Sequence, residues 1–155
     1  MKKKSVLFIC VHNSARSQMA EAFLKARGGE DFAVESAGLS PTSINPLVVA
    51  AMAEKGIDLS GATTQSAFDL FRQGRLFEYV ITVCDDSNEK QCPVFPGLVH
   101  REHWPFEDPA ALTGTADEKM IGVRRIRDEI EAAVAAFVSR FGRADQTGTK
   151  EKGEW

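Results

Sequence analysis

The chain has 155 residues, 43% of them hydrophobic and 26% charged, which is the composition of one ordinary globular domain and excludes a disordered or fibrous chain. A formal net charge of −3 with no Lys/Arg cluster gives no basis for nucleic-acid binding, and three cysteines leave one over from any disulfide framework. Lys2, Lys3 and Lys4 precede a short apolar run far below the about 20 residues of a membrane span, so no membrane association, a cytoplasmic location and at most a transient, catalytic disulfide are expected.

Val6 to Ile9 read as a fully buried strand, and Ser17 onward reads as a helix with Met19, Phe23 and Ala26 at helical spacing and Gly28-Gly29 as its stop. Cys10 to Arg16 must then be the turn between them. A loop feeding a helix aims successive backbone N–H groups, here those of Val11, His12, Asn13, Ser14 and Ala15, into a concavity that holds a tetrahedral oxyanion. Arg16 adds a planar charged fork, and Cys10 at the lip of the strand would be a thiolate nucleophile facing the bound anion. Taken singly, Cys10 is a small strand-end hydrophobe and Arg16 a surface residue. Their order, with five residues between them, a strand before and a helix after, points instead to a site. Ser17 is either a helix cap or a donor to the Cys10 sulfur.

Phe32 to Ala37 is the second strand, punctuated from Gly38 to Pro41. Asn45 caps a helix that starts at Pro46 and stops at Gly56. A short helix follows over Ser66 to Gln73, then a third strand, Tyr79 to Val83, which delivers Cys84 at its carboxyl end as the first delivers Cys10. The polar segment from Asp85 to Gln91 separates Cys84 from Cys92. Leu98 to Trp104 suggests a short fourth strand, and Pro105 to Thr115 a loop carrying Asp108-Pro109. Thr115 and Glu118 form a capping box for the last helix, whose apolar stripe is Met120, Val123, Ile126, Ile130, Val134, Phe137, Val138 and Phe141, with its arginines and glutamates on a solvated face. Strand-then-helix units predict an α/β fold: a three-layer, four-stranded parallel sheet flanked by helices, doubly wound. Residues 1–142 form a single catalytic domain and 143–155 a polar tail expected to be mobile.

The phrase CVHNSARS, Cys10 to Ser17, resembles the signature loop of the low-molecular-weight protein tyrosine phosphatase superfamily. VLFICVHNSARSQMAEAF resembles its arsenate reductase branch. TVCDDSNEKQCPVFPG and EHWPFEDPA are similar to the redox segment and acid loop of the thioredoxin-coupled members, and the likeness runs over about residues 4 to 141. The resemblance implies reduction of arsenate, with phosphate and sulfate as competing oxyanions and thioredoxin, or in some relatives a low-molecular-weight thiol, as reductant. It implies a Cys10, Cys84, Cys92 relay in which the disulfide moves outward along the mobile segment, and it places the general acid at Asp108, with Glu107 as the fallback. Left to themselves, Cys84 and Cys92 read rather as a strand-end hydrophobe and a stray loop thiol, and the Asp-Pro pair reads equally well as a turn initiator.

The chain also departs from the pattern. His12 stands where the loop usually has Gly, and its ring is expected to face solvent. Ala15 replaces a cysteine of many relatives. Ala110-Ala111 replace the tyrosines with which phosphatases of this fold clamp a phosphotyrosine ring, which favours a small inorganic oxyanion. Some reductases of the branch hold a structural potassium; Asn13, Glu21 and Ser36 match three of its ligands, but Gln65 stands in place of the fourth, an Asp. No other metal or cofactor is expected, and His100, His103 and Trp104 read as structural or surface residues. Two rivals share these residues: a phosphatase using Cys10, Arg16 and Asp108, and an oxyanion-binding or redox-sensing module without turnover.

Overall fold

The computed structural model describes residues 2–84 and 92–142; the acid-rich segment 85–91 and the tail 143–155, both expected to move, lie outside the described residues. β1 (Lys4–Cys10) carries Val6, Leu7, Phe8 and Ile9 without exposed surface, the continuous apolar run of a strand covered on both faces. β2 (Phe32–Gly38), β3 (Tyr79–Thr82) and β4 (His100–His103) join it in one sheet of order β2–β1–β3–β4, with every pairing parallel. The expected four-stranded parallel sheet is therefore present. β4 is shorter than the sequence suggested because Leu98 stands fully exposed outside the ladder, leaving a charged edge of His100, Arg101, Glu102 and His103.

Strand alternation divides the core in two. Val6, Phe8 and Cys10 pack with α1 (Arg16–Gly28), α2 (Pro46–Ala53) and α4 (Ala116–Phe141), through Met19, Phe23, Val48, Met52, Ile126, Ile130 and Phe137. Leu7 and Ile9 face the other way, against Ala67 and Leu70 of α3 (Ala67–Arg72) and the buried Phe77 and Phe95. Helices thus cover both faces, and each large side chain buried this way stabilises the fold by about 1.5–3 kcal/mol.

The helix signals mostly locate the ends. Asn45 Oδ1 accepts from the Leu47 N–H at 2.9 Å, Ser66 Oγ from the Asp69 N–H at 3.2 Å, and Thr115 and Glu118 close the capping box at 3.1 and 2.8 Å. α2 stops at Ala53, and Gly56, at a φ of 77°, ends the turn that follows rather than the helix itself. Arg127 corrects the reading of α4: it is 7% exposed, not solvated, and donates to the Ala51 carbonyl and to Glu54 Oε1 at 2.9 and 2.8 Å, closing the carboxyl end of α2.

The chain passes from β1 to β2 on one side and returns to β3 on the other, so the switch point of the sheet lies between β1 and β3, where open parallel sheets bind ligands. A hydrogen bond from the Val83 N–H to the Ile9 carbonyl, 2.8 Å, carries the pairing past the end of β3. Cys10 and Cys84 consequently stand at the same carboxyl edge.

Candidate active site

Residues 11–15 leave β1 and enter α1 at Arg16 with the carbonyls turned outward. Those of Cys10, Val11, His12 and Ser14 accept from the N–H groups of Leu39, Ser40, Thr42 and Asn45 at 2.7–3.1 Å. Every peptide here is trans, so the N–H following each of those carbonyls points to the opposite side. The Asn13 N–H reaches that sulfur at 3.2 Å. Asn13 itself sits at a φ of 53°, a left-handed conformation that asparagine tolerates better than most residues. The approach of the loop to β2 needs Gly38, where a Cβ would lie 2.7 Å from the Asn13 nitrogen.

The buried Asn13 side chain sets the direction of the hydrogen bonds around the sulfur. Its Nδ2 donates to Ser17 Oγ at 2.7 Å and to Ser36 Oγ at 2.9 Å. Each hydroxyl, having accepted, keeps its own proton to give: Ser36 donates to Glu21 Oε1 at 2.5 Å, and Ser17 faces Cys10 Sγ at 2.9 Å. Ser17 is the second residue of α1 and caps nothing; Ala15 holds the cap position without a side-chain bond. Of the two roles open to Ser17, the contact to sulfur is the one present. The His12 Nδ1 lies 3.1 Å from the Ser40 carbonyl in an exposed contact, so the ring has a backbone partner at the surface.

Arg16 is 3% exposed. Its Nη1 donates to the Phe106 carbonyl at 3.1 Å, its Nη2 lies 3.6 Å from Asp108 Oδ2, and its buried Nε has no hydrogen-bond partner. A buried guanidinium N–H left unpaired is costly, and an oxyanion oxygen in the cup would satisfy it. Asp108 also caps the short 3-10 turn Pro109–Ala111, Oδ1 accepting from the Ala110 N–H at 2.9 Å. The turn-initiating and site-facing readings of Asp-Pro therefore coexist. Glu107, the fallback acid, is exposed and bound to Arg125 at 2.6 Å.

Cys84 has no exposed surface and packs in the same core as Cys10, whereas Cys92 is half-buried against the core on the α3 face. The two are joined by a hydrogen bond that, with the positive charges of Arg16 and His103, holds the Cys84 thiol down at about 7 against the opposing effect of burial. Thr82 Oγ1 and His103 Nδ1 meet at 2.6 Å beside it. In Cys10→Ser the ultraviolet thiolate absorbance should show a midpoint near pH 7 for Cys84, and adding Cys92→Ala should move it upward toward 9; an unmoved midpoint would contradict the assignment.

Arg16 and Asp108 meet beside the loop, and Cys84, just past β3, packs in the core that holds Cys10 and is hydrogen-bonded to Cys92. Gly38 had been read only as punctuation after β2, a faint signal for the close approach that the loop makes there. Gln65 had been connected with the site only as the residue in place of a fourth cation ligand; its hydrogen bonds to Asn13, Ser36 and Glu35 had not been foreseen. The residues matched to a potassium site do not fit one. Their acceptor oxygens are engaged by N–H and O–H donors of the protein, and the Gln65 Nε2 points a donor at the Ser36 carbonyl, 2.9 Å away.

A model of the family "Low molecular weight phosphotyrosine protein phosphatase" matches residues 5–147. The arsenate reductase of Bacillus licheniformis is 44% identical over 138 residues, 88% of this chain and 96% of the relative. A solved arsenate reductase in a phosphate-binding state is 31% identical, with a TM-score of 0.70 over 88% of this chain and 98% of its own. The thioredoxin-dependent arsenate reductase of Corynebacterium glutamicum is 33% identical, with a TM-score of 0.66 over 89% of this chain and 61% of its own. By these likenesses the chain belongs to the low molecular weight phosphotyrosine protein phosphatase family, among its arsenate reductases.

Proposed function

We propose that this protein reduces arsenate to arsenite, using Cys10 as nucleophile, Cys84 and Cys92 as a two-step disulfide relay, and a thioredoxin-type dithiol as the final reductant. The observation that carries the reading is a buried second thiol, Cys84, at the same sheet edge as the Cys10 cup and hydrogen-bonded to a third, Cys92. A phosphatase needs no such pair.

In the first step the backbone N–H groups of residues 11–17 and the Arg16 fork hold the arsenate, and the Cys10 sulfur attacks arsenic. Asp108 in its protonated form gives its proton to the departing oxygen, which leaves as water. Cys84, as thiolate, then attacks the Cys10 sulfur. The sulfur–arsenic bond breaks with its electron pair going to arsenic, which falls from the +5 to the +3 state, and the two sulfurs supply the two electrons by becoming a disulfide. Cys92 next attacks Cys84, Cys10 leaves as thiolate, and a Cys84–Cys92 disulfide remains for the external dithiol. Exposed Ala110 and Ala111 offer no aromatic wall at the rim of the cup, which supports a small oxyanion rather than a phosphotyrosine. Because the first attack is shared, weak hydrolysis of phosphate esters accompanies reduction.

Asp108→Asn keeps the acceptor for the Ala110 N–H while removing the proton donor. Arsenate turnover should fall by about 10²-fold or more, with inhibition by phosphate changed no more than a few-fold, as single-turnover and inhibition kinetics would measure. Equal losses in both would mean that Asp108 only shapes the cup. The function itself is tested by arsenate-dependent NADPH oxidation in the presence of thioredoxin and thioredoxin reductase. Consumption of NADPH with stoichiometric arsenite supports it, and hydrolysis of p-nitrophenyl phosphate with no arsenite would overturn it.

A further inference from the structure

Gln65, on the segment before α3, touches the site at four points without belonging to the loop. Its backbone N–H donates to Asn13 Oδ1 at 3.1 Å, and its carbonyl accepts from the Gly38 N–H at 2.9 Å. Its side-chain Nε2 donates to the Ser36 carbonyl at 2.9 Å and to Glu35 Oε1 at 3.3 Å. The first bond decides how the Asn13 amide is turned: with Oδ1 occupied, Nδ2 must face Ser17 and Ser36. That orientation in turn leaves the Ser17 proton for the Cys10 sulfur. The side chain holds the segment in place, since both of its acceptors lie on β2, the strand against which the loop rests.

We infer that Gln65 is a positioning residue for Cys10, and that its amide supplies by hydrogen bonding the tether that a bound cation would otherwise provide, so that this site works without one. A cation needs oxygen ligands converging on it. Here an amide nitrogen converges on the Ser36 carbonyl, while the Glu21 carboxylate is bound by Ser36 Oγ on one oxygen and by Lys25 on the other, each at 2.5 Å. Replacing Gln65 by Asp would exchange the donor that faces the Ser36 carbonyl for a carboxylate, setting acceptor against acceptor where a cation could bridge them.

The inference rests on Cys10 being the nucleophile of the proposed function, and its test uses no arsenate, so the two can fail separately. The rate of Cys10 carboxymethylation and the thermal midpoint are measured in potassium chloride and in tetramethylammonium chloride at equal ionic strength. The wild-type protein is expected to give the same values in both salts. Gln65→Ala should slow the alkylation about fivefold, the equivalent of one hydrogen bond, equally in both salts. Gln65→Asp should lose reactivity and stability in tetramethylammonium and recover them in potassium, a response that a merely structural role would not produce. A wild-type protein stabilised or activated by potassium overturns the inference, as does a Gln65→Ala protein that alkylates at the wild-type rate. Should Gln65→Asp fail to fold in either salt, these two comparisons still decide.

Discussion

Cys10→Ser should abolish both arsenate reduction and phosphate-ester hydrolysis while leaving the fold intact. Serine is nearly isosteric with cysteine and can keep the contacts to Ser17 Oγ and the Asn13 N–H, which lie 2.9 and 3.2 Å from the sulfur. Neither group is a base. A thiol ionises near neutral pH and attacks as an anion, whereas an alcohol needs a neighbouring base to take its proton, and no such base is hydrogen-bonded to residue 10 among the described residues. The loss is expected to exceed about 10³-fold in both reactions, with a thermal midpoint close to that of the wild-type protein. Steady-state kinetics and a melting curve on the same preparation check this. Arsenate reduction surviving in Cys10→Ser would move the nucleophile elsewhere.

Cys92→Ser should complete one turnover and stop. Cys10 is 2% exposed and Cys84 fully buried, so a disulfide between them is closed to an external dithiol. Cys92 is the half-buried member of the three, packed on the α3 side of the sheet, and its attack on Cys84 carries the bond from the core that holds Cys10 toward the surface. Without it the oxidised pair has no exit. Sustained turnover should fall by more than about 10²-fold, with one arsenite released per chain and a Cys10–Cys84 disulfide recovered by mass spectrometry under non-reducing conditions. Continuous turnover by this variant would remove Cys92 from the relay.

Much of this site was legible because its chemistry is local in sequence. Val6 to Ile9 are too apolar to be anything but buried, Ser17 to Gly28 too regular to be loop, and the seven residues from Cys10 to Arg16 had to form the junction. The parallel order of the sheet followed from alternating strands and helices, and it placed Cys84 at the edge that carries Cys10. What the sequence did not disclose depends on close approach between distant segments. Gly38 matters because the Asn13 backbone passes within contact of it, and Gln65, placed near Asn13 and Ser36 only by the resemblance, because it hydrogen-bonds to Asn13, Ser36 and Glu35. The partner of the His12 ring, the Ser40 carbonyl, comes from the segment after β2 in the same way. Arg127 was assigned to a wet face because charge pattern registers polarity and not the acceptors, Ala51 and Glu54, that another helix offers. Periodicity identifies faces; it carries no information about which polar groups will find partners.

The relay is tested most directly by mixing the fully reduced protein with one equivalent of arsenate, without any reductant, and mapping its thiols. One arsenite per chain, a Cys84–Cys92 disulfide and a free Cys10 are the expected products. Three free thiols and no arsenite, from a protein that still hydrolyses p-nitrophenyl phosphate, would contradict it and leave the cup of Cys10 and Arg16 as that of a phosphatase.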